Sequence, residues 1–131
     1  YKSPDSINAI DWTLKEKNAD LFNYYQQLIA FRKMHPSLRM TSAEDIAKNI
    51  VFDKVSAPNV VSYSIFNNAS ADDAKEIKIV YNGSDKPYQL KVKRGKWTVI
   101  ADDATISADG LRRFDGGKIT VAPRSALILT R

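Results

Sequence analysis

At 131 residues, 44% hydrophobic and 27% charged, the chain has the composition of one compact domain, with or without a small attachment, and not of a disordered segment. It holds no cysteine, which excludes disulfides, iron–sulfur clusters, Cys-type zinc sites and thiol nucleophiles together. One histidine, His35, excludes any multi-histidine metal site, and the net charge of +5 aids solubility without implying a polyanionic partner. No apolar run approaches the ~18 residues that a membrane span requires. The chain opens on Tyr1 without the charged and apolar regions of a signal peptide, and so reads as a segment of a longer protein.

The opening stretch, Tyr1 to Trp12, contains Ser3-Pro4-Asp5-Ser6 and Asn8, a loop composition. Asn18 or Asp20 is placed to cap a following helix. From Leu21 to Met34, apolar side chains recur at Leu21, Tyr24, Tyr25, Leu28, Phe31 and Met34, with Phe22 and Ile29 in a second row. This stripe is wider than a surface helix needs, which predicts cover on more than one side. His35-Pro36 ends the helix, and Thr41-Ser42-Ala43-Glu44 fits a capping box that opens a short helix through about Lys48.

Beyond residue 48 the period changes to two. Val61, Tyr63 and Ile65 alternate with Ser62 and Ser64, Ile77, Ile79 and Tyr81 repeat the pattern, and Tyr88 through Lys93 continues it. Trp97 to Ile100, Ile119 to Val121 and Ala126 to Leu129 add further strands. Asn82-Gly83, Arg94-Gly95 and Asp115-Gly116-Gly117 are turn signals, and Ala69 to Ala74 reads as an exposed hairpin loop. Seven or eight short strands without intervening helices predict a mainly β fold: an N-terminal helical segment over residues 1–48, then an antiparallel β-sandwich over 49–131.

Few residues suggest chemistry of their own. His35 sits just before proline at a helix C-terminus, where a cation interacts favourably with the dipole. Lys91, Lys93, Arg94 and Lys96 form a basic hairpin beside Trp97. Lys91 and Lys93 there take the water side of a strand, and no nucleic-acid signature accompanies them. Of the three glutamates, Glu16 lies in a charged lead-in, Glu44 belongs to the capping box and Glu76 opens a strand, so none has the apolar setting of a catalytic acid. Asp102-Asp103 with Asp109 lacks the spacing of a calcium loop. No metal or other cofactor is expected. Tyr63, Tyr81 and Tyr88 fall on the apolar phase of their strands and are predicted to pack in the core, while Trp97 could either pack or stack on a sugar.

The opening run Tyr1-Lys2-Ser3-Pro4-Asp5-Ser6-Ile7-Asn8-Ala9-Ile10-Asp11-Trp12 resembles a stretch of type I pullulanases, α-amylase-family glycoside hydrolases of family thirteen, where it follows the last catalytic aspartate. Asn23-Tyr24-Tyr25, Leu28-Ile29-Ala30-Phe31-Arg32-Lys33 and His35-Pro36 are similar to that family's final barrel helix. Asn59 to Tyr63 and Val121 to Ala126 resemble strands of its C-terminal β domain.

The resemblance implies the C-terminal part of a bacterial debranching enzyme that hydrolyses α-1,6-glucosidic links in pullulan, starch or glycogen, secreted, periplasmic or at the cell surface. Its partners would be the catalytic barrel of the same polypeptide and the α-glucan substrate. A retaining glycosidase needs two carboxyls about 5–5.5 Å apart, and the motifs that carry them in the family do not occur here. The segment alone is therefore expected to be inactive. Tyr1, Asp5 and Asn8 would lie near the substrate mouth, and Trp97 is the candidate for stacking on a sugar. The competing readings are an α-glucan-binding sandwich module and a protein-interaction domain.

Overall fold

A computed structural model describes residues 2–131 as a helical lead-in followed by nine strands. Two short helices, α1 (Asp5–Asn8) and α2 (Thr13–Lys17), precede the long helix α3 (Ala19–Met34). Asn18 does not cap α3 with its side chain; its amide donates to the Leu14 carbonyl at 2.9 Å instead. The helix stops at His35, because Pro36 pushes the residue before it into the extended region. A 3₁₀ turn (Pro36–Arg39) leads to α4 (Ala43–Asn49). Its cap is Ser42, whose Oγ accepts from Asp45 N at 3.2 Å, one residue later than the box read from Thr41.

Seven strands form one sheet: β1 (Ile50–Phe52), β2 (Val60–Phe66), β3 (Glu76–Asn82), β5 (Trp97–Asp102), β6 (Thr105–Ile106), β7 (Arg112–Phe114) and β9 (Ser125–Thr130). Their order is β1-β2-β3-β9-β5, with β6 and β7 both pairing with β5. The remaining two, β4 (Tyr88–Val92) and β8 (Gly117–Val121), pair with each other as a separate sheet. Every pairing is antiparallel, as the strand pattern predicts.

The turn signals require a correction. Asn82-Gly83, Arg94-Gly95 and Gly116-Gly117 each lie between strands of different sheets, so none closes a hairpin. They pass the chain from one layer to the other. Gly116 must be glycine there: its φ is +83°, and a Cβ would meet the Lys93 carbonyl oxygen at 2.3 Å. The hairpins that do form join β1 to β2, β2 to β3 and β5 to β6, and the loop read as a hairpin from the sequence is the one between β2 and β3. That loop is not wholly exposed, since Ala69 and Asp72 are buried.

The large sheet has two covered faces. On one, Val80, Trp97, Val99, Leu127 and Leu129 are sealed by Leu90, Val92, Ile119 and Val121 from the small sheet. On the other, Ile65, Ile77, Ile79, Ile100, Ala101 and Ile128 receive Phe31 of α3, flanked by Tyr24 and Leu28. A bulge between Val99 and Ala101 lets three consecutive residues of β5 be buried, Val99 on one side and its two successors on the other. The Gln27 carboxamide oxygen accepts from Ala108 N at 2.9 Å and ties α3 to the loop after β6.

Alternation predicted which face each residue takes, but not whether that face is covered. Val61 pairs with Tyr81 and Tyr63 with Ile79, so these side chains share the helix-side face with Ile65 and Ile77. Phe31 of α3 packs in the cluster of isoleucines and alanines, with Tyr63 at its edge. Tyr81 is 48% exposed and Val61 is exposed, so the predicted core role of Tyr81 is not met among the described residues, whereas Tyr63 is half-buried and packs partly against the helix-side core. Tyr88 packs partly against the opposite, sealed core.

Candidate functional site

The polar clusters are engaged in holding elements together. Asp72 Oδ1 lies 2.8 Å from His35 Nδ1 and accepts from Ala74 N at 2.9 Å; its Oδ2 accepts from Ser37 Oγ at 2.7 Å and Ser37 N at 3.1 Å. Burial alone would push the Asp72 carboxyl up, but these donors outweigh it and hold it below the usual carboxylate value. The serine donates to the aspartate and not to the imidazole, so the serine–histidine bond of a nucleophilic triad is not formed. This is a clamp between the end of α3 and the β2–β3 loop. His35 therefore has a specific anionic partner beyond the helix dipole.

Glu76 opens β3, as its place in the sequence suggests. It is buried, and its Oε2 accepts from Lys93 Nζ and Arg131 Nε, both at 2.8 Å. Asp53 is similarly held by Lys78 Nζ and Ser62 Oγ. Burial raises the Asp53 carboxyl, and these two donors bring it below its ordinary value. Both carboxylates bridge elements of the sheet, a structural duty.

The residues expected to meet a sugar are dispersed. Tyr1 lies outside the described residues. Asp5 stands exposed in α1, its carboxylate making no hydrogen bond or ion pair among the described residues. Asn8 donates from Nδ2 to the Ser3 carbonyl at 2.6 Å and so shapes its own loop. Trp97 is corrected: it is 1% exposed, donates from Nε1 to the Lys93 carbonyl at 3.1 Å and has the Arg131 guanidinium 5.0 Å from its ring centre. A ring enclosed on this scale has no face left for a sugar. It packs because its side of β5 looks toward the small sheet.

The distinctive surface is apolar and lies on the helical side. While Tyr24, Leu28 and Phe31 turn inward, Leu21, Tyr25 and Ile29 form a second row at four-residue spacing and are exposed. Neither α1 nor α2 contributes a buried residue, and Trp12 is 74% exposed. A cleft of about 460 Å³ lies between this lead-in and α3, lined by Ile10, Trp12, Leu14, Leu21, Phe22 and Tyr25. A second, of about 430 Å³, lies between α3 and the open part of the sheet, where Tyr25 and Ile29 face Tyr63 and Tyr81. Its floor continues as an aromatic ladder across three strands, with Phe52 and Tyr63 ring centres 5.3 Å apart and Tyr63 and Tyr81 6.5 Å apart. Burial, helped by its neighbour Tyr81, pushes the Tyr63 phenol up to about 12. The wide helical stripe pointed to the outer row of α3; the ladder was missed, because pairing across strands brings together residues distant in sequence.

Contiguous apolar surface of this extent marks a place where another surface belongs. The family model described as "Pullulanase, all-beta domain" matches residues 46–105. The pullulanase of Bacillus subtilis (strain 168) is 30% identical over 100 residues, which are 69% of this chain and 14% of that protein. An isoamylase of Flavobacterium sp is 28% identical over 151 residues, 92% of this chain and 19% of that protein. Among solved structures, a pullulanase from Bacillus acidopullulyticus superimposes with a TM-score of 0.91 at 33% identity, covering 100% of this chain and 16% of its own. The chain thus spans between about a seventh and a fifth of each of these proteins. With the strand pattern, the opening motif and these likenesses in agreement, the chain is a pullulanase-type region of the family-thirteen glycoside hydrolases, with that group's all-beta domain over residues 46–105.

Proposed function

We propose that the chain is the non-catalytic, C-terminal part of a debranching enzyme acting on α-1,6-glucosidic bonds of pullulan, starch or glycogen, and that it stabilises the enzyme's catalytic barrel by docking on it. The division into a barrel-completing segment, residues 1–48, and an accessory β domain, residues 49–131, belongs to the same reading. The observation that supports it is the outer row of α3. Leu21, Tyr25 and Ile29 are exposed while the inner row of the same helix is packed, the pattern of a helix held between two bodies. Asp5, without a partner among the described residues, is then the opening-segment side chain best able to orient a sugar hydroxyl at the barrel mouth.

Two measurements test this. The isolated chain should release no reducing ends from pullulan at any pH, because its buried carboxylates are engaged in ion pairs and hydrogen bonds; activity surviving rigorous purification refutes the non-catalytic assignment. The chain should also co-purify with a separately expressed barrel, and Leu21→Lys should abolish that capture. Capture unaffected by Leu21→Lys, or no capture at all, removes the docking role. The glucan-module reading loses its named residue with the burial of Trp97.

A further inference from the structure

The docking proposed above concerns the outer row of α3 and leaves the second cleft, over the sheet, without an occupant. Its shape and chemistry narrow what fits. One wall is the α3 row Tyr25, Ile29 and Arg32, at the four- and three-residue spacing that a helix presents to a helix lying alongside it. The floor is Tyr63, Ile79, Tyr81 and Ile128 on the adjacent strands β2, β3 and β9, and the aromatic ladder carries it on to Phe52 of β1. Three adjacent strands span roughly 10 Å from first to third, since neighbours lie ~4.8 Å apart. That is about the diameter of one helix with its side chains.

The lining also discriminates between a sugar and a protein. Apart from the tyrosine hydroxyls, its polar group is the Arg32 guanidinium, which already donates to the Leu38 carbonyl at 2.7 Å. A saccharide ring needs convergent donors and acceptors for its hydroxyls, and this cleft does not offer them. Nor does it suit an added strand, because the cleft lies over the face of the sheet, where backbone groups are already paired, and not along an edge. Apolar side chains from a helix meet neither obstacle.

We propose that this cleft seats an apolar helix from the same longer polypeptide, lying beside α3 and completing the cover of the sheet. The inference rests on the docking reading, since the polypeptide must extend beyond this chain, as the matched pullulanase does. It adds a second contact surface, made by the β domain itself and centred on Tyr81.

Hydroxyl-radical footprinting of the 131-residue chain and of the longer polypeptide separates the two ideas. Phe52 and Tyr81 should be oxidised several-fold more slowly in the longer polypeptide. A photo-reactive phenylalanine at position 81 should cross-link to one segment, at sites three and four residues apart. Equal oxidation of Phe52 and Tyr81 in the two samples overturns the proposal. If Leu21 and Phe22 are nevertheless protected in the longer polypeptide, docking through α3 stands, whereas their equal oxidation removes that as well. Protection that appears only when maltotriose is added identifies a sugar platform and overturns the helix, as do cross-links at every second residue or scattered among loops.

Discussion

The two faces of the large sheet are built alike from alternating apolar residues, yet one is finished within the chain and the other is not. On the first, the small sheet lies across Val80, Val99, Leu127 and Leu129 and leaves them without solvent contact. On the second, α3 closes over the isoleucines through Phe31, and the surface then opens at Tyr81, Val61 and Phe52. A layered fold must bury each apolar face against something. The difference shows which cover the local sequence can provide: a two-stranded layer returns over the sheet through crossovers of a few residues, whereas one helix of 16 residues cannot span a seven-stranded sheet.

Substitutions on the two faces sharpen the contrast. Trp97→Ala, in the finished face, should have the largest effect, toward the upper end of about 3–5 kcal/mol, because it opens a cavity that the small sheet cannot fill and removes the stacking partner of Arg131. Phe31→Ala should cost less, toward the lower end of that range, since α3 is free on its outer side to settle inward. Thermal melts of the two variants compare them directly. A larger loss for Phe31→Ala would mean that the helix-side face carries more of the chain's stability than its incomplete cover suggests.

Asp72 ties the end of α3 to the β2–β3 loop, and its removal should rank next. Asp72→Ala strands the donors of Ser37, Ala74 and His35 and should destabilise by about 2–3 kcal/mol. Its folded carboxyl lies below the unfolded value of 3.8, so its stabilisation is fully present above that value and is lost as pH falls through the folded one. Asp72→Asn should therefore flatten the acid limb of a stability-versus-pH curve. An acid limb identical to that of the unaltered chain would show that the clamp holds equally well when protonated. The smallest effect is expected at the open face, where Tyr81→Ala in the 131-residue chain should change stability by no more than about 0.5 kcal/mol. A clear loss there would show that the aromatic ladder supports the sheet by itself.

Much of this organisation was legible beforehand. Proline after His35 stops α3, the breadth of its apolar stripe matches a packed inner row and an exposed apolar outer row, and period-two alternation from Val61 onward marks antiparallel strands. The turn signals misled about pairing, because a glycine-containing turn records only that the chain reverses, and Gly83, Gly95 and Gly116 reverse it between layers. The burial of Glu76 was not legible, because the cations that hold it, Lys93 and Arg131, come from other parts of the chain.

By itself, then, the amino-acid order determined the local periods, the stops and the two-sided character of α3, because these depend on sterics and side-chain spacing within a few residues. Only the tertiary structure decided that Trp97 is enclosed while Tyr81 stays half-exposed, although both sit on the apolar phase of a strand. Alternation assigns a side chain to a face, and burial depends on what crosses that face: for Trp97 it is strands β4 and β8. Over Tyr81 no element among the described residues closes the face.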